Sequence, residues 1–125
     1  MKCLSIKVDI YNCKIFFVVT ENLLKDALFL YKKYKIVPPE DVGELRDNEG
    51  LYLTFNISNH YLLIDNKYLT HNTLAHEIHH VVNNITNDRD VDDEEAEAWL
   101  CGFITEKIYL YLEKQKMKIN HVISE

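Results

Sequence analysis

Two histidines and a glutamate lie within five residues of the chain, at His76, Glu77 and His80. On a helix, residues four apart lie one turn from each other on the same face, with Cβ atoms about 5–6 Å apart. Both imidazoles can therefore reach one metal ion at about 2.0–2.1 Å. Glu77 follows His76 directly and cannot comfortably bind the same ion. It can instead accept a proton from a water molecule on that ion.

The spacing is the H-E-x-x-H pattern of zinc-dependent hydrolases. The surrounding residues favour a helix, because apolar side chains recur at three- and four-residue intervals and form one face. These side chains are Leu74, Ile78, Val81, Val82 and Ile85. The pattern predicts a helix that ends near Ile85, is capped by Thr70 or Asn72, and carries the histidines at the edge of its buried face.

A catalytic zinc needs three protein ligands and one open position, so a third ligand is expected downstream. The acidic start of the last predicted helix offers several carboxylates. Glu95 is our first choice, because it shares a helix face with Ala98 and Gly102, whose small size would let the helix approach its neighbour closely. Glu94 is the second choice and Glu97 the third.

Composition limits the classes of protein that this chain can represent. The 125 residues predict one domain over 1–125, and 47% hydrophobic with 27% charged residues is ordinary for a globular protein. A net charge of −6 gives no reason to expect a nucleic-acid or membrane partner. The three cysteines have no metal or redox spacing, and the sequence suggests neither a signal peptide nor a membrane span. We therefore expect a cytoplasmic protein.

The remaining periodicity predicts an α+β fold with a small, mostly antiparallel sheet and two or three helices on one side of it. Alternating and β-branched segments indicate an N-terminal hairpin, and the later strands precede the histidine helix. The predicted strands are 4–10, 14–19, 51–56 and 61–65, and the predicted helices are about 20–35, the histidine helix, and about 94–116. Thr20 is the candidate cap of the first helix, and Asp92 or Asp93 is that of the last. The last helix is predicted to have an apolar stripe of Ala96, Trp99, Leu100, Phe103, Ile104, Ile108 and Tyr111. Residues 35–50 are interpreted as an acidic connector, with a lid as the alternative.

The two motifs together resemble the short gluzincins, and the ImmA/IrrE-type zinc peptidases are the nearest group. The resemblance rests on His76-Glu77-x-x-His80 followed by Glu95-Ala96-x-Ala98-Trp99-Leu100, and it covers residues 73–103. The predicted order of hairpin, helix, strands, active-site helix and glutamate helix is also similar to the minimal zincin-like core. Small members of that group are common in phages and mobile elements.

The resemblance implies a zinc-dependent peptidase acting on a peptide or protein substrate. One Zn²⁺ would be held by His76, His80 and Glu95 and would polarise the scissile carbonyl and a water molecule. Glu77 would be the general base. The strand before the histidine helix, 61–65, would be the edge strand that pairs with an extended substrate. A further residue would stabilise the oxyanion, and the sequence does not choose between His60, Tyr61, His71 and Tyr109.

Other interpretations remain open. The chain can be a zinc-stabilised binding or regulatory module without hydrolytic activity, a hydrolase of a non-peptide amide, or a helix with no metal. Glu77 favours an enzyme, since a structural zinc site has no use for a base and closes with a fourth ligand. His79 is the one neighbour able to close it, and it lies about 100° around the helix from His80. Neither the substrate nor the oligomeric state follows from the sequence.

Overall fold

Strands and helices follow one another in the order expected for an α+β protein. The structure is a computed structural model that describes residues 3–120, so His121 lies outside the described residues. Short 3-10 helices occupy three of the connections. The strands are β1 (Cys3–Val8), β2 (Cys13–Thr20), β3 (Gly50–Thr54) and β4 (Asn59–Asp65); the α-helices are α1 (Leu23–Lys33), α2 (His71–Asp88) and α3 (Glu94–Lys114); the 3-10 helices are Asp9–Tyr11, Glu40–Asp47 and Asn66–Tyr68.

The four strands form one sheet in the order β1-β2-β4-β3. The chain opens with the antiparallel hairpin β1–β2, in which Cys3 pairs with Val18 and Val8 with Cys13. The pairing of β3 with β4 is also antiparallel, whereas β2 and β4 run parallel. The prediction of an α+β fold with an N-terminal hairpin and a mostly antiparallel sheet is confirmed.

The sheet is covered on both faces. Phe17, Leu62 and Ile64 belong to a core shared with α2 and α3, while Val18 and Leu63 pack with α1 on the opposite face. The prediction of two or three helices on one side holds for two of them, α2 and α3, while α1 covers the other face. Because the middle of β2 and of β4 is a continuous apolar run, each of these strands requires a partner layer above and below.

The prediction that residues 61–65 form an edge strand is wrong. In the sheet order β4 lies between β2 and β3, and its residues from His60 to Asp65 are buried. The continuous apolar run in this segment is typical of a central strand and not of an edge. The outer strand on this side of the sheet is β3.

The helix starts follow local capping chemistry. The side chain of Thr70 accepts a hydrogen bond from the Thr73 amide at the start of α2, and Asp93 caps α3 in the same way. Both residues were among the predicted caps. At α1 the cap is Asn22 in place of Thr20, whose hydroxyl instead donates to the Asp26 carboxylate at 2.5 Å.

The helix α3 buries the aliphatic members of the apolar stripe that the sequence predicts, and Leu112 extends that stripe. Four aliphatic residues at four-residue intervals face the core, and they are Leu100, Ile104, Ile108 and Leu112. Trp99 is 51% exposed, and a Cβ atom added at Gly102 would meet no atom within 4 Å. The prediction that Ala98 and Gly102 allow close helix packing is wrong, since both are exposed. Burying large aliphatic side chains removes more apolar surface from water than burying small ones.

Replacing Gly102 with alanine is expected to stabilise the protein. The position is helical and open, so the methyl group has no clash and the helix gains propensity worth about 0.5–1 kcal/mol. Urea denaturation of Gly102→Ala and the parent measures the difference in the free energy of unfolding. A loss of stability would mean that α3 packs against something at this face.

Candidate metal centre

The helix α2 presents three different surfaces. Its aliphatic side chains at Leu74, Ile78 and Val81 are buried against the sheet. Glu77 lies at the margin of this face and is only 7% exposed, whereas His76 and His80 are exposed one turn apart. The helix thus holds a buried carboxylate beside two accessible imidazoles.

The two imidazoles converge. Their Nε2 atoms lie 3.1 Å apart, with ring centroids separated by 4.7 Å. Two nitrogens bound to one tetrahedral zinc at about 2.0–2.1 Å lie about 3.3 Å apart, so the spacing of His76 and His80 fits a shared ion. The same spacing allows one Nε2–H to donate a hydrogen bond to the other ring. Imidazole nitrogens are suitable zinc ligands, and the pair meets the geometric requirement for two of them.

Glu77 is held close to this pair in a desolvated position. Its Oε1 atom lies 4.0 Å from Nε2 of His76. Burial raises the pKa of the Glu77 carboxyl above its usual value, while the charges of His80 and His76 act in the opposite direction. A carboxylate that holds a proton more readily is better matched to taking one from water near neutral pH.

A cleft of about 420 Å³ opens in front of these residues. One wall is the first two turns of α2, and the other is the segment that leads into β3. The lining residues are Asp47, Asn48, Glu49, Gly50, Asn72, Thr73, His76 and Glu77. The sequence pattern did not predict that the segment before β3 forms the second wall, because residues 35–50 were interpreted as a connector. The available signal was the glycine that directly follows the acidic turn and begins a strand.

Gly50 lets β3 approach α2 closely. A Cβ atom at this position would lie 3.0 Å from Cγ of Glu77 and 3.0 Å from Cδ1 of Ile64. Real Cβ atoms rarely come this close to a neighbour, so any larger residue must displace one of these side chains. The absence of a side chain at Gly50 thus supports the position of Glu77.

The outer edge of β3 has backbone groups that point away from the sheet. The Asp65 amide donates to the Glu49 carbonyl at 2.9 Å, which makes these two residues a hydrogen-bonded pair. In an antiparallel ladder such pairs alternate, so Leu51 also directs its backbone groups toward β4. Gly50 and Tyr52 then direct theirs outward, at the edge of the sheet beside the cleft.

The predicted third ligand, Glu95, does not join the histidines. It is exposed and lies about 140° around α3 from the buried Leu100. Glu94 and Glu97 line a separate groove with His79, and neither of them lines the cleft that contains His76 and Glu77. Among residues 3–120, no three His, Cys, Asp or Glu side chains are grouped so as to hold one ion.

Three of the four candidates for oxyanion stabilisation are engaged elsewhere. The hydroxyl of Tyr61 lies 2.5 Å from that of Tyr34, on the α1 side of the sheet. His71 lies about 140° around α2 from His76, and its Nδ1 is 2.6 Å from the Tyr109 hydroxyl. None of Tyr61, His71 and Tyr109 lines the cleft.

His60, the fourth candidate, is fully buried at the start of β4. Its Nε2 lies 3.1 Å from the Ile57 carbonyl, which can only accept, so Nε2 carries the proton. In the neutral ring Nδ1 then accepts from the Tyr52 hydroxyl at 2.6 Å. Burial lowers the pKa of His60; Arg89 adds to this, while the Ile57 carbonyl and Asp88 oppose it. His60 is therefore a neutral, structural histidine.

No family model, curated protein or solved structure matches this chain. Within residues 3–120, none of the helices has the length and apolar character needed to span a membrane. The class of the site therefore follows from its own residues, which are two convergent imidazoles and a buried carboxylate on one helix beside an open cleft.

Gly50→Ala is expected to lower the free energy of unfolding by about 1–3 kcal/mol, because the new methyl group overpacks the contact with Glu77. Gly43→Ala is the matched control, since the nearest atom to its Cβ is the Arg46 guanidinium at 3.9 Å. Thermal and urea unfolding of both variants measure the effect. Equal stability of the two variants would contradict the close approach of β3 to α2.

His60 is expected to make stability depend on pH. Because its pKa is lowered in the folded protein, the unfolded chain takes up the proton first as the pH falls. The free energy of unfolding should decrease from about pH 7 to pH 5, by at most about 1.4 kcal/mol per pH unit from this residue. Urea denaturation across this range should give a smaller slope for His60→Gln. The exposed His79→Gln is the control, and equal slopes for His60→Gln and the parent would refute a buried neutral His60.

Proposed function

We propose that this protein is a zinc-dependent peptidase. The observation that carries the proposal is the convergence of the His76 and His80 Nε2 atoms, 3.1 Å apart, beside the buried Glu77 carboxylate. Neither a core-packing nor a helix-capping role needs this combination. An exposed histidine pair alone would also fit an ordinary helix surface, so the buried Glu77 carboxylate beside the pair is the feature that favours an active site.

His76 and His80 would hold the zinc through their Nε2 atoms. The ion, when bound, supplies positive charge that polarises a scissile carbonyl and favours deprotonation of water. Glu77 accepts the proton of the attacking water, which its raised pKa and its position toward the cleft favour. It then donates that proton to the departing amine.

An extended peptide is the substrate that fits this cleft. The outward backbone groups of Gly50 and Tyr52 can pair with a peptide strand laid along β3, next to His76 and Glu77. Pairing through the main chain binds many sequences, so specificity depends on the side chains that line the cleft. A bond presented by such a strand lies within the reach of the catalytic glutamate.

The third zinc ligand is proposed from the resemblance to gluzincins alone. Glu95 remains the residue that this resemblance nominates, and its side chain is exposed and not grouped with the histidines among residues 3–120. Glu94 and Glu97, the second and third choices, line a groove with His79. A water molecule or a substrate group can complete the coordination of zinc beyond the protein ligands.

Elemental analysis and a cleavage assay test the proposal together. The purified parent is expected to bind one zinc per chain, and His80→Ala is expected to lose it, whereas His79→Ala, on the same helix, is expected to keep it. Glu77→Gln should keep the zinc but hydrolyse a mixed peptide library about 10²–10⁴-fold more slowly, because the general base is lost. Glu95→Gln, Glu94→Gln and Glu97→Gln identify the third ligand by their zinc content.

Three results would contradict the proposal or a part of it. No zinc in the parent after zinc is added back would leave a helix with a coincidental motif. One tightly bound zinc without cleavage of any library peptide would instead establish the alternative, a zinc-stabilised binding or regulatory module. Equal cleavage by Glu77→Gln and the parent would refute the mechanism while leaving the metal in place.

A further inference from the structure

We propose that Asp47 and Glu49 form a subsite for a positively charged group of the substrate. The two carboxylates lie on the wall of the cleft that faces α2, just before β3 begins. The inference deepens the proposed peptidase function, because it names the class of peptide that the same cleft selects. The ligand chemistry is an ammonium or guanidinium cation.

Glu49 is held in place by a chain of hydroxyl groups. The buried Thr70 hydroxyl donates to the Thr73 hydroxyl at 3.0 Å, which in turn donates to Oε2 of Glu49 at 3.2 Å. Thr70 is also the cap of α2, so this carboxylate is tied to the first turn of the active-site helix. A carboxylate fixed in this way loses little side-chain entropy when it binds a cation.

The negative charge in the cleft is not compensated by the protein. Among residues 3–120, neither Asp47 nor Glu49 forms an ion pair, and no lysine or arginine lines the cleft. Arg46 is the basic residue beside them in sequence, and its Nε atom donates to the Gly43 carbonyl at 3.1 Å. The wall therefore attracts a cation from outside the chain.

A second carboxylate environment borders the same cleft. Glu77 is more than nine-tenths buried and lines the cleft, and its nearest charged partner within the part of the chain that the structure describes is the His76 ring, with Oε1 4.0 Å from Nε2. Its oxygens keep access to the cleft, because no fully buried side-chain oxygen among the described residues lacks a hydrogen bond. Glu77 thus adds negative charge to the cleft, while Asp47 and Glu49 carry the preference for the positively charged end or side chain of a peptide.

Two sources of the cation are compatible with this wall. It can be the α-amino group of a substrate cleaved near its N-terminus, or the side chain of lysine or arginine within a longer peptide. Both groups donate several hydrogen bonds to carboxylates. The two sources differ in their response to N-terminal acetylation, which removes only the first.

Peptide binding to the full chain carrying Glu77→Gln tests the subsite without cleavage. The probe is a C-terminally labelled, strand-forming decapeptide with a single lysine, compared by fluorescence anisotropy with its glutamine counterpart, each with a free and an acetylated N-terminus. We expect removal of the relevant cation to weaken binding about three- to tenfold. The preference should shrink as the salt concentration rises.

Matched carboxylate variants assign the effect. Added to Glu77→Gln, either Glu49→Gln or Asp47→Asn should abolish the preference for the charged peptide, whereas Glu44→Gln should retain it. Glu44 is the control because it is an exposed carboxylate of the same 3-10 helix that does not line the cleft. The subsite would be refuted if the preference for the charged peptide persists in both cleft variants. It would also be refuted if there is no such preference, or if no peptide binds.

The outcomes separate the subsite from the peptidase. If the parent cleaves no peptide but shows a charge preference that depends on Glu49, the subsite is supported and the peptidase function is refuted. If the parent cleaves peptides without any charge preference, the peptidase function is supported and the subsite is refuted. A lower melting temperature of Glu49→Gln with an unchanged preference would mean that Glu49 serves only the start of α2, and the proposal would fall.

Discussion

The close approach of β3 to α2 at Gly50 is the constraint on which the candidate site depends. Only the absence of a side chain lets the strand lie against the Glu77 stem, with Ile64 of the neighbouring strand filling the remaining space. This contact removes the carboxylate from water and raises its pKa. It also brings the free edge of the sheet to the same place. The absence of a side chain at Gly50 therefore links the position of Glu77, the proposed base, to the sheet edge on which the proposed substrate strand would lie.

Burying a carboxylate at this contact works against stability, and the rest of α2 offsets it. The aliphatic stripe of the helix, including Ile78 and Val81, lies in the main core, and a cap at Thr70 secures its first turn. The helix is thus fixed by residues that take no part in chemistry. Its polar side can therefore hold a buried carboxylate beside two imidazoles, a combination that would be unfavourable on a helix with fewer core contacts.

Periodicity predicted the elements well but could not predict how they pack around the site. The apolar run of β4 and the capping residues Thr70 and Asp93 are local signals, and they correctly predicted the strand and the two helix starts. In α3, Leu100 and its equivalents on later turns were correctly predicted as core, but Trp99 was wrongly added to them, and Ala98 and Gly102 were wrongly expected to pack closely. Competition between faces of one helix is a tertiary property, and single-residue patterns do not resolve it.

The acidic residues divide into two groups with different physical roles. Those at the start of α3, such as Glu94 and Glu95, lie in the first turn of a helix, where the macrodipole favours negative charge whether or not a ligand is present. Glu49 also lies near a helix start, but a hydroxyl of α2 fixes its orientation and it borders the cleft that contains Glu77. A sequence contains the charges of both groups equally. Only the fold separates an acidic residue that stabilises its own helix from one that borders an open cleft, which is why sequence patterns did not reveal the candidate surface before β3.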